Sequence, residues 1–339
     1  MKLELSFFNL GEILMYPIKF ESVFLEKIWG GSNFKDYKEE MPGSSIGESW
    51  EVSCHENGMS IVKNGELKGK TLKEIVKEFG VKLIGEKISQ EKFPLLTKIV
   101  SAKEKLSVQV HPDDDYAAFA EGSSGKTEAW YILEADEDAE LIIGTKMCTK
   151  EEFKSGIEKN NLEKYLNKVK VKKDELYFIK SGLVHAILGG TLILEIEQNS
   201  DITYRVFDYG RNRKLHIDKA LDVIDFNLEP KKVMGLSVEY EDYSKTYLCL
   251  NKYFSIERYS IKKSLEESSD EERFYIYFVL SGTGKLEYEE GVLNIKKGES
   301  FLVPAYLGKY KIEGELSLLR TYVPDMSKIR EEILFNCIC

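Results

Sequence analysis

The chain has 339 residues, more than one domain usually spans, so two domains are expected. Hydrophobic residues make up 42% and charged residues 31%, a globular balance that excludes a disordered polymer. The net charge of -10 excludes nucleic-acid binding through the overall field, and a phosphorylated ligand would need a local basic pocket.

In chain order, Thr71-x-x-Glu74 is a capping box that opens a helix over LKEIVKEF. Leu106–Val110 reads as a short strand, stopped by Pro112 and followed by a Pro-Asp-Asp-Asp turn. A flexible Gly122–Gly125 stretch leads to strands at Ala129–Leu133 and Leu141–Ile143. Thr149-x-x-Glu152 is a second capping box, opening EEFKSGI. Leu176–Ile179 and Thr191–Ile196 are further strands, and Ile217–Ile224 has helical spacing of apolar residues.

Strand signals dominate, and 19 Tyr and 17 Phe suit half-buried pleated surfaces. Short, regularly spaced strands predict a mainly β fold of the jelly-roll type, barrel or sandwich, with a few peripheral helices. A faint repeat relates KKDELYFIKSGLVHAI (Lys172–Ile187) to KKGESFLVPAYLGKYK (Lys296–Lys311). It predicts two related barrels, at residues 15–235 and 236–339. His185 falls opposite Lys309 and no histidine follows His216, so the second barrel is expected to be structural and without a metal site.

Five cysteines (Cys54, Cys148, Cys249, Cys337, Cys339) are scattered and odd in number, unlike a secreted disulfide framework. The closing Cys337-Ile338-Cys339 reads as a frayed tail. No apolar run approaches the roughly 18 residues that span a bilayer. The opening MKLELSFFNLGEIL, broken by Glu4, Asn9 and Glu12, lacks a signal-peptide core, so a cytoplasmic location is expected.

With only His55, His111, His185 and His216 available, any imidazole metal site must draw on these four. Gln109 and His111 lie two apart on one strand face, at a strand end where ligands converge. Glu128 opens an apolar strand, and His185 follows the Gly182 turn. Two imidazoles, one carboxylate and one amide oxygen around Zn²⁺ would leave a net charge of about +1 and a Lewis-acidic ion. His55 and His216 read as surface or hydrogen-bonding residues. Spacing alone leaves a hydrogen-bonded Gln-x-His pair as an alternative to a metal site.

The segment PLLTKIVSAKEKLSVQVHPDDDYA (Pro94–Ala117) resembles the signature of the type I mannose-6-phosphate isomerases, cupin zinc enzymes. GESWEVS (Gly47–Ser53), GKTEAWYIL (Gly125–Leu133), SGLVHAI (Ser181–Ile187) and LEIEQNSDITYRVFDYGR (Leu194–Arg211) agree in order. The resemblance covers Met15 to Phe226 well and the remainder loosely. It is strongest to the short bacterial form, since no large helical insertion separates Glu128 from His185.

The resemblance implies one zinc ion per chain, held by Gln109, His111, Glu128 and His185. It also implies interconversion of D-mannose 6-phosphate and D-fructose 6-phosphate through a cis-enediolate. Arg205 falls on the family's essential arginine, Glu195 on its pocket carboxylate and Lys126 on its pocket lysine; these three are the catalytic candidates. Lys98 and Ser107 fall on residues lining the phosphate end, and Trp29 on a pocket aromatic. Arg211 is the remaining substrate-binding candidate, although VFDYGRNRKLHIDKAL departs from the longer forms and leaves Arg211, Arg213 and Lys214 open. The base is Glu195, Lys126 or a zinc-bound hydroxide. A lysine beside a dication and an arginine should have a lowered pKa, which makes Lys126 a chemically competent base.

Family members start near Met15, so residues 1–14 are expected to be an extension. The expected partner is a small sugar phosphate, with no nucleic acid or membrane, and the chain a monomer or homodimer. The competing readings are another metal cupin, such as an iron oxygenase, and a non-catalytic sugar-phosphate-binding cupin.

Overall fold

The computed structural model describes residues 15–338 apart from 32, 35 and 40. The expected extension at 1–14 and Cys339 lie outside the described residues, as does the side chain of Cys337. Three antiparallel sheets make up the fold. A seven-stranded sheet runs in the order Lys231–Val233, Leu176–Ile179, Glu128–Ala135, Thr191–Gln198, Leu95–Ala102, Ile46–Val52, Val23–Glu26. A five-stranded sheet runs Tyr204–Phe207, Val108–Val110, His185–Ile187, Glu140–Thr145, Leu166–Lys170. The third sheet, nine-stranded, is built from residues 236–322 plus the N-terminal strand Ile18–Lys19.

Period-2 alternation explains the layering. Trp130 and Ile132 meet Leu141 and Ile143 of the five-stranded sheet in one core. Their neighbours Ala129, Tyr131 and Leu133 face the opposite way and join Phe254, Ile276 and Leu319 in another. The outer face of the five-stranded sheet, including Val108, Val110, Val184 and Ala186, is covered by Phe153, Ala220 and Leu221 from two helices. The result is a layered jelly-roll sandwich. It differs from a closed barrel because two separate sheets face each other across the Trp130–Leu141 core.

Both capping boxes form, at Thr71–Glu74 ahead of the helix Leu72–Phe79 and at Thr149–Glu152 ahead of Lys150–Glu158. The third expected helix spans Ile217–Val223. Two helices stand where the sequence signals a turn and a tail. The Pro-Asp-Asp-Asp turn is the start of a helix, Asp114–Glu121, whose first turn is capped by the Asp113 carboxylate. Cys337 and Ile338 of the expected frayed tail close a helix, Met326–Ile338, that packs Ile329 and Ile333 on the third sheet. Among the described residues no helix is long and apolar enough to cross a membrane.

The expected division at 235 falls at Gly235, between a strand edging the seven-stranded sheet and one edging the nine-stranded sheet. Two features cross it. Ile18 and Lys19 pair with Leu302 and Phe301, and the largest core draws on both parts of the chain. Gly298 makes the crossing tight, since its φ is +82° and a Cβ there would lie 1.9 Å from the Tyr37 carbonyl oxygen. Gly298→Ala is therefore expected to cost about 1–3 kcal/mol or more, read as a lower denaturant midpoint.

The interior of the third sheet is filled by its own side chains. Arg320 pairs with the fully buried Glu257 at 2.7 Å, and Tyr322 donates to the same carboxylate at 2.8 Å. Lys309, opposite His185 in the repeat, is exposed, and the inward position belongs to Tyr310. Among the described residues no histidine lies in this sheet.

Candidate metal centre and active site

Strand register assembles the site. His185 is paired with Gln109, and Gln109 in turn with Arg205 on its other side. In the facing sheet Glu197 is paired with Glu128, and Glu195 with Lys98. Polar side chains thus gather at one end of the sandwich, above the apolar Val100–Trp130–Ile132 floor.

His111 and His185 are fully buried and face each other, with Nε2 atoms 3.1 Å apart. Each ring donates its Nδ1 proton to a backbone carbonyl: His111 to Ile202 at 2.7 Å, His185 to Leu183 at 2.8 Å. A carbonyl only accepts, so the Nδ1–H tautomer is fixed and both Nε2 lone pairs point inward. Burial, and then the Lys126 ammonium, hold His111 well below its ordinary value; burial brings His185 down to about 4. Two neutral acceptors therefore point at each other without a proton between them. Trp130 packs against the His185 ring in a T-shaped arrangement, with centroids 5.3 Å apart.

Glu128 completes the arrangement. Its Oε2 lies 3.6 Å from His111 Nε2 and its Oε1 3.5 Å from His185 Nε2. The carboxylate is fully buried and neither oxygen has an aligned hydrogen-bond donor; Lys126 Nζ, at 3.2 Å, is an ion-pair neighbour. Converging lone pairs and an unsatisfied buried carboxylate cost free energy unless a cation sits among them. His111, Glu128 and His185 bring their ligand atoms within 4.8 Å of one another, which suits a divalent ion. Gln109 Nε2 lies 3.4 Å from His185 Nε2, and a half-turn of its amide brings the oxygen to the same place.

Behind this group lies a closed cluster of charge. Lys126 Nζ is 2.6 Å from Glu197, 3.3 Å from Glu195 and 3.2 Å from Glu128. Lys98 Nζ is 3.4 Å from Glu195 and 3.2 Å from Glu197. Three buried carboxylates face two ammonium groups, so the cluster is one positive charge short. Burial and the neighbouring Glu195 accordingly push Glu128 well up and Glu197 to about 8. Burial opposes it, yet Lys98 and Lys126 hold Glu195 well below the usual carboxylate range. A cation among the histidines and Glu128 would supply the missing charge.

In the metal-free chain both buried lysines are raised. Burial favours the neutral amine, but the surrounding carboxylates more than offset it and hold both Lys126 and Lys98 above their ordinary values. The lowered pKa expected for Lys126 belongs to the metal-bound state, in which a dication joins the Glu195–Glu197 pair around it.

A cavity of about 330 Å³ opens beside these groups. Of the sequence candidates, Trp29, Lys98, Ser107, Gln109, Lys126, Glu195 and Arg205 line it. Arg205 Nε donates to Ser107 Oγ at 3.1 Å and one of its terminal nitrogens to the Lys214 carbonyl at 2.8 Å, which aims the guanidinium at the cavity. Arg211 does not line the cavity; it is tied to Asp208 at 2.8 Å and stacks over Tyr209. Arg213 lines it instead, also braced by Asp208. Tyr209, with φ +53°, turns the chain just ahead of both arginines.

The other two histidines serve locally. His55 caps a short turn through Asn57 N, and His216 Nδ1 accepts from Arg205 N at 3.3 Å. Sequence reasoning missed Lys27, Glu48 and Asp201 in the cavity wall, and Glu197 behind it. For Glu197 a signal existed: Glu195 and Glu197 share a strand face by period 2.

Comparison with known proteins finds relatives over most of the chain. Residues 18–155 match the catalytic-domain model of type I phosphomannose isomerase, and residues 243–323 the cupin-domain model of mannose-6-phosphate isomerase. The chain is 40% identical over 305 residues to mannose-6-phosphate isomerase ManA of Bacillus subtilis, covering 88% of this chain and 96% of that one. It is 35% identical over 313 residues to the mannose-6-phosphate isomerase of Streptococcus mutans, covering 90% and 98%. The crystal structure of a Bacillus subtilis mannose 6-phosphate isomerase superposes with a TM-score of 0.85 at 37% identity, covering 90% of this chain and 99% of that one. A fold, an inward-facing polar cluster and similarity over nearly the whole chain converge: this chain belongs to the type I phosphomannose isomerases, aldose–ketose isomerases built on the cupin fold.

Proposed function

We propose that the chain interconverts D-mannose 6-phosphate and D-fructose 6-phosphate with one zinc ion, by proton transfer between C1 and C2 through a cis-enediolate. The observation that carries the metal dependence is the pair of opposed Nε2 lone pairs at 3.1 Å beside the unsatisfied Glu128 carboxylate. His111, Glu128, His185 and Gln109 would hold the ion. When bound, zinc supplies Lewis acidity toward the sugar oxygens at the reacting end.

The rest follows from side chains around the cavity. Lys27, Lys98, Lys126, Arg205 and Arg213 line it, against Glu48, Glu195 and Asp201. This is the local basic pocket that a phosphate needs on an acidic chain. Lys98, Ser107 and Arg213 bind the phosphate end, and Trp29 packs on the sugar. Arg205 places fixed positive charge where the enediolate oxygens develop theirs. Lys126 stays protonated and adds to that charge. Glu195 is assigned the carbon-bound proton by its place on the cavity wall, not by its basicity, which Lys98 and Lys126 depress.

Arg213→Ala should raise KM for mannose 6-phosphate roughly tenfold or more, the worth of a hydrogen bond to a charged group, whereas Arg211→Ala should change it less. Steady-state kinetics of the two variants check the reassignment. An assay coupling fructose 6-phosphate formation to a dehydrogenase tests the activity itself; a protein that binds mannose 6-phosphate without converting it would refute the proposal.

A further inference from the structure

We infer that Glu197 is a positioning residue, which anchors the ammonium groups of Lys126 and Lys98 from behind and fixes the direction in which they face the cavity. The inference rests on the isomerase reading above for its kinetic part, and on geometry alone for its structural part.

Lys98, Lys126 and Glu195 line the cavity, and Glu197 does not. It is nevertheless fully buried and makes the shortest of the Lys126 ion pairs, 2.6 Å from Oε2 to Nζ. Its other oxygen, Oε1, faces Lys98 Nζ at 3.2 Å. One carboxylate therefore bridges two ammonium groups that arrive on different segments, Lys98 within the strand Leu95–Ala102 and Lys126 just ahead of Glu128.

A lysine ammonium is a point charge on a flexible four-carbon stem, so one partner does not fix its direction. Glu195 touches both lysines as well, through its opposite oxygens at 3.3 and 3.4 Å. The two glutamates and two lysines thus close a ring of ion pairs. Glu197 is the corner without a cavity wall, and each of its two oxygens faces a different ammonium group. Without it, Lys126 is left with Glu128 and Glu195 as partners, and its charge moves onto the groups assigned to the metal and the proton.

The test is Glu197→Gln, examined by steady-state kinetics, metal analysis and crystallography, with Glu197→Asp as the charge-retaining variant should Gln fail to fold. Glu197→Gln is expected to lower kcat roughly 10- to 100-fold with KM within about threefold and metal content unchanged. Glu197→Asp should recover part of the loss. In a Lys126→Ala background the same Gln substitution should change kcat less than about twofold, because the effect runs through that lysine. The crystal structure should show Lys126 Nζ displaced toward Glu128 or Glu195. A kcat within about twofold of wild type, an equal loss in the Lys126→Ala background, or Lys126 Nζ undisplaced would each overturn the inference. The crystallographic arm decides the positioning role even if the wild-type protein proves not to isomerise mannose 6-phosphate.

Discussion

Glu128→Gln is expected to remove the bound metal, to lower kcat/KM by on the order of a thousandfold or more, and to make the metal-free chain more stable. The first two effects follow from the donor set. Among the described residues Glu128 is the carboxylate that faces both His111 Nε2 and His185 Nε2. An amide there leaves the ion with neutral donors only. The third effect has the opposite sign and comes from the same burial. In the metal-free chain three carboxylates face two lysines, and burial with the adjacent Glu195 charge drives Glu128 well above the ordinary glutamate value of 4.5. A folded pKa raised in this way means that the folded chain binds the proton more tightly than the unfolded one. The contribution to stability is then full below pH 4.5 and is lost as pH rises. Gln carries no such charge, so in chelator the variant should gain roughly 1–3 kcal/mol over wild type at neutral pH, the cost of an unsatisfied buried acceptor. The gap should shrink as pH falls toward 4.5. Denaturant midpoints across pH, with and without chelator, check the sign. A variant less stable than wild type in chelator at pH 7 would contradict this account of the site.

Arg205→Ala should lower kcat by about 10²- to 10³-fold while leaving metal content unchanged. The Arg205 side chain is not bonded to His111, His185 or Glu128; its guanidinium is held by the Ser107 hydroxyl and the Lys214 carbonyl. That bracing lets it present charge in one direction without reorganising during the reaction. Arg205→Lys should recover little, because an ammonium cannot donate to Ser107 and the Lys214 carbonyl and still reach the cavity. Metal analysis beside kinetics separates the roles: zinc lost from the Arg205→Ala protein would mean that the arginine acts on the metal site, contrary to the assignment.

Much of the site is legible in the sequence because strands encode it simply. Gln109 and His111 share a face by period 2, and Pro112 ends their strand, which by itself places them at the sandwich mouth. Glu128 and His185 are legible as strand openings, but their meeting is not. It depends on the pairing of His185 with Gln109, two segments 76 residues apart. Local signals also suffice for the helices with capping boxes at Thr71 and Thr149. They fail at Asp113, where a Pro-Asp-Asp-Asp run reads equally as a turn or as the start of a helix, and the capping carboxylate decides.

What spacing leaves open at the site shares one physical cause, a partner that is distant in sequence or shared in space. The sequence sets Lys126 beside a cation and an arginine, whereas the Glu195–Glu197 pair on the adjacent strand controls its charge. Arg211 and Arg213 compete for one carboxylate, Asp208, in a loop whose course is set by a positive φ at Tyr209. Spacing from Arg205 gives no reason to prefer either. At the scale of the fold, proximity in sequence assigns the N-terminal strand Ile18–Lys19 to the first unit. It instead extends the third sheet, because its partner strand Ser300–Val303 has an open edge there.

The most direct test of the central claim is isomerisation by protein stripped of metal and then titrated with zinc. Mannose 6-phosphate conversion should fall to background in the stripped protein and return in proportion to zinc, saturating at one ion per chain. Undiminished conversion by protein free of metal, or recovery with iron but not zinc, would contradict the account.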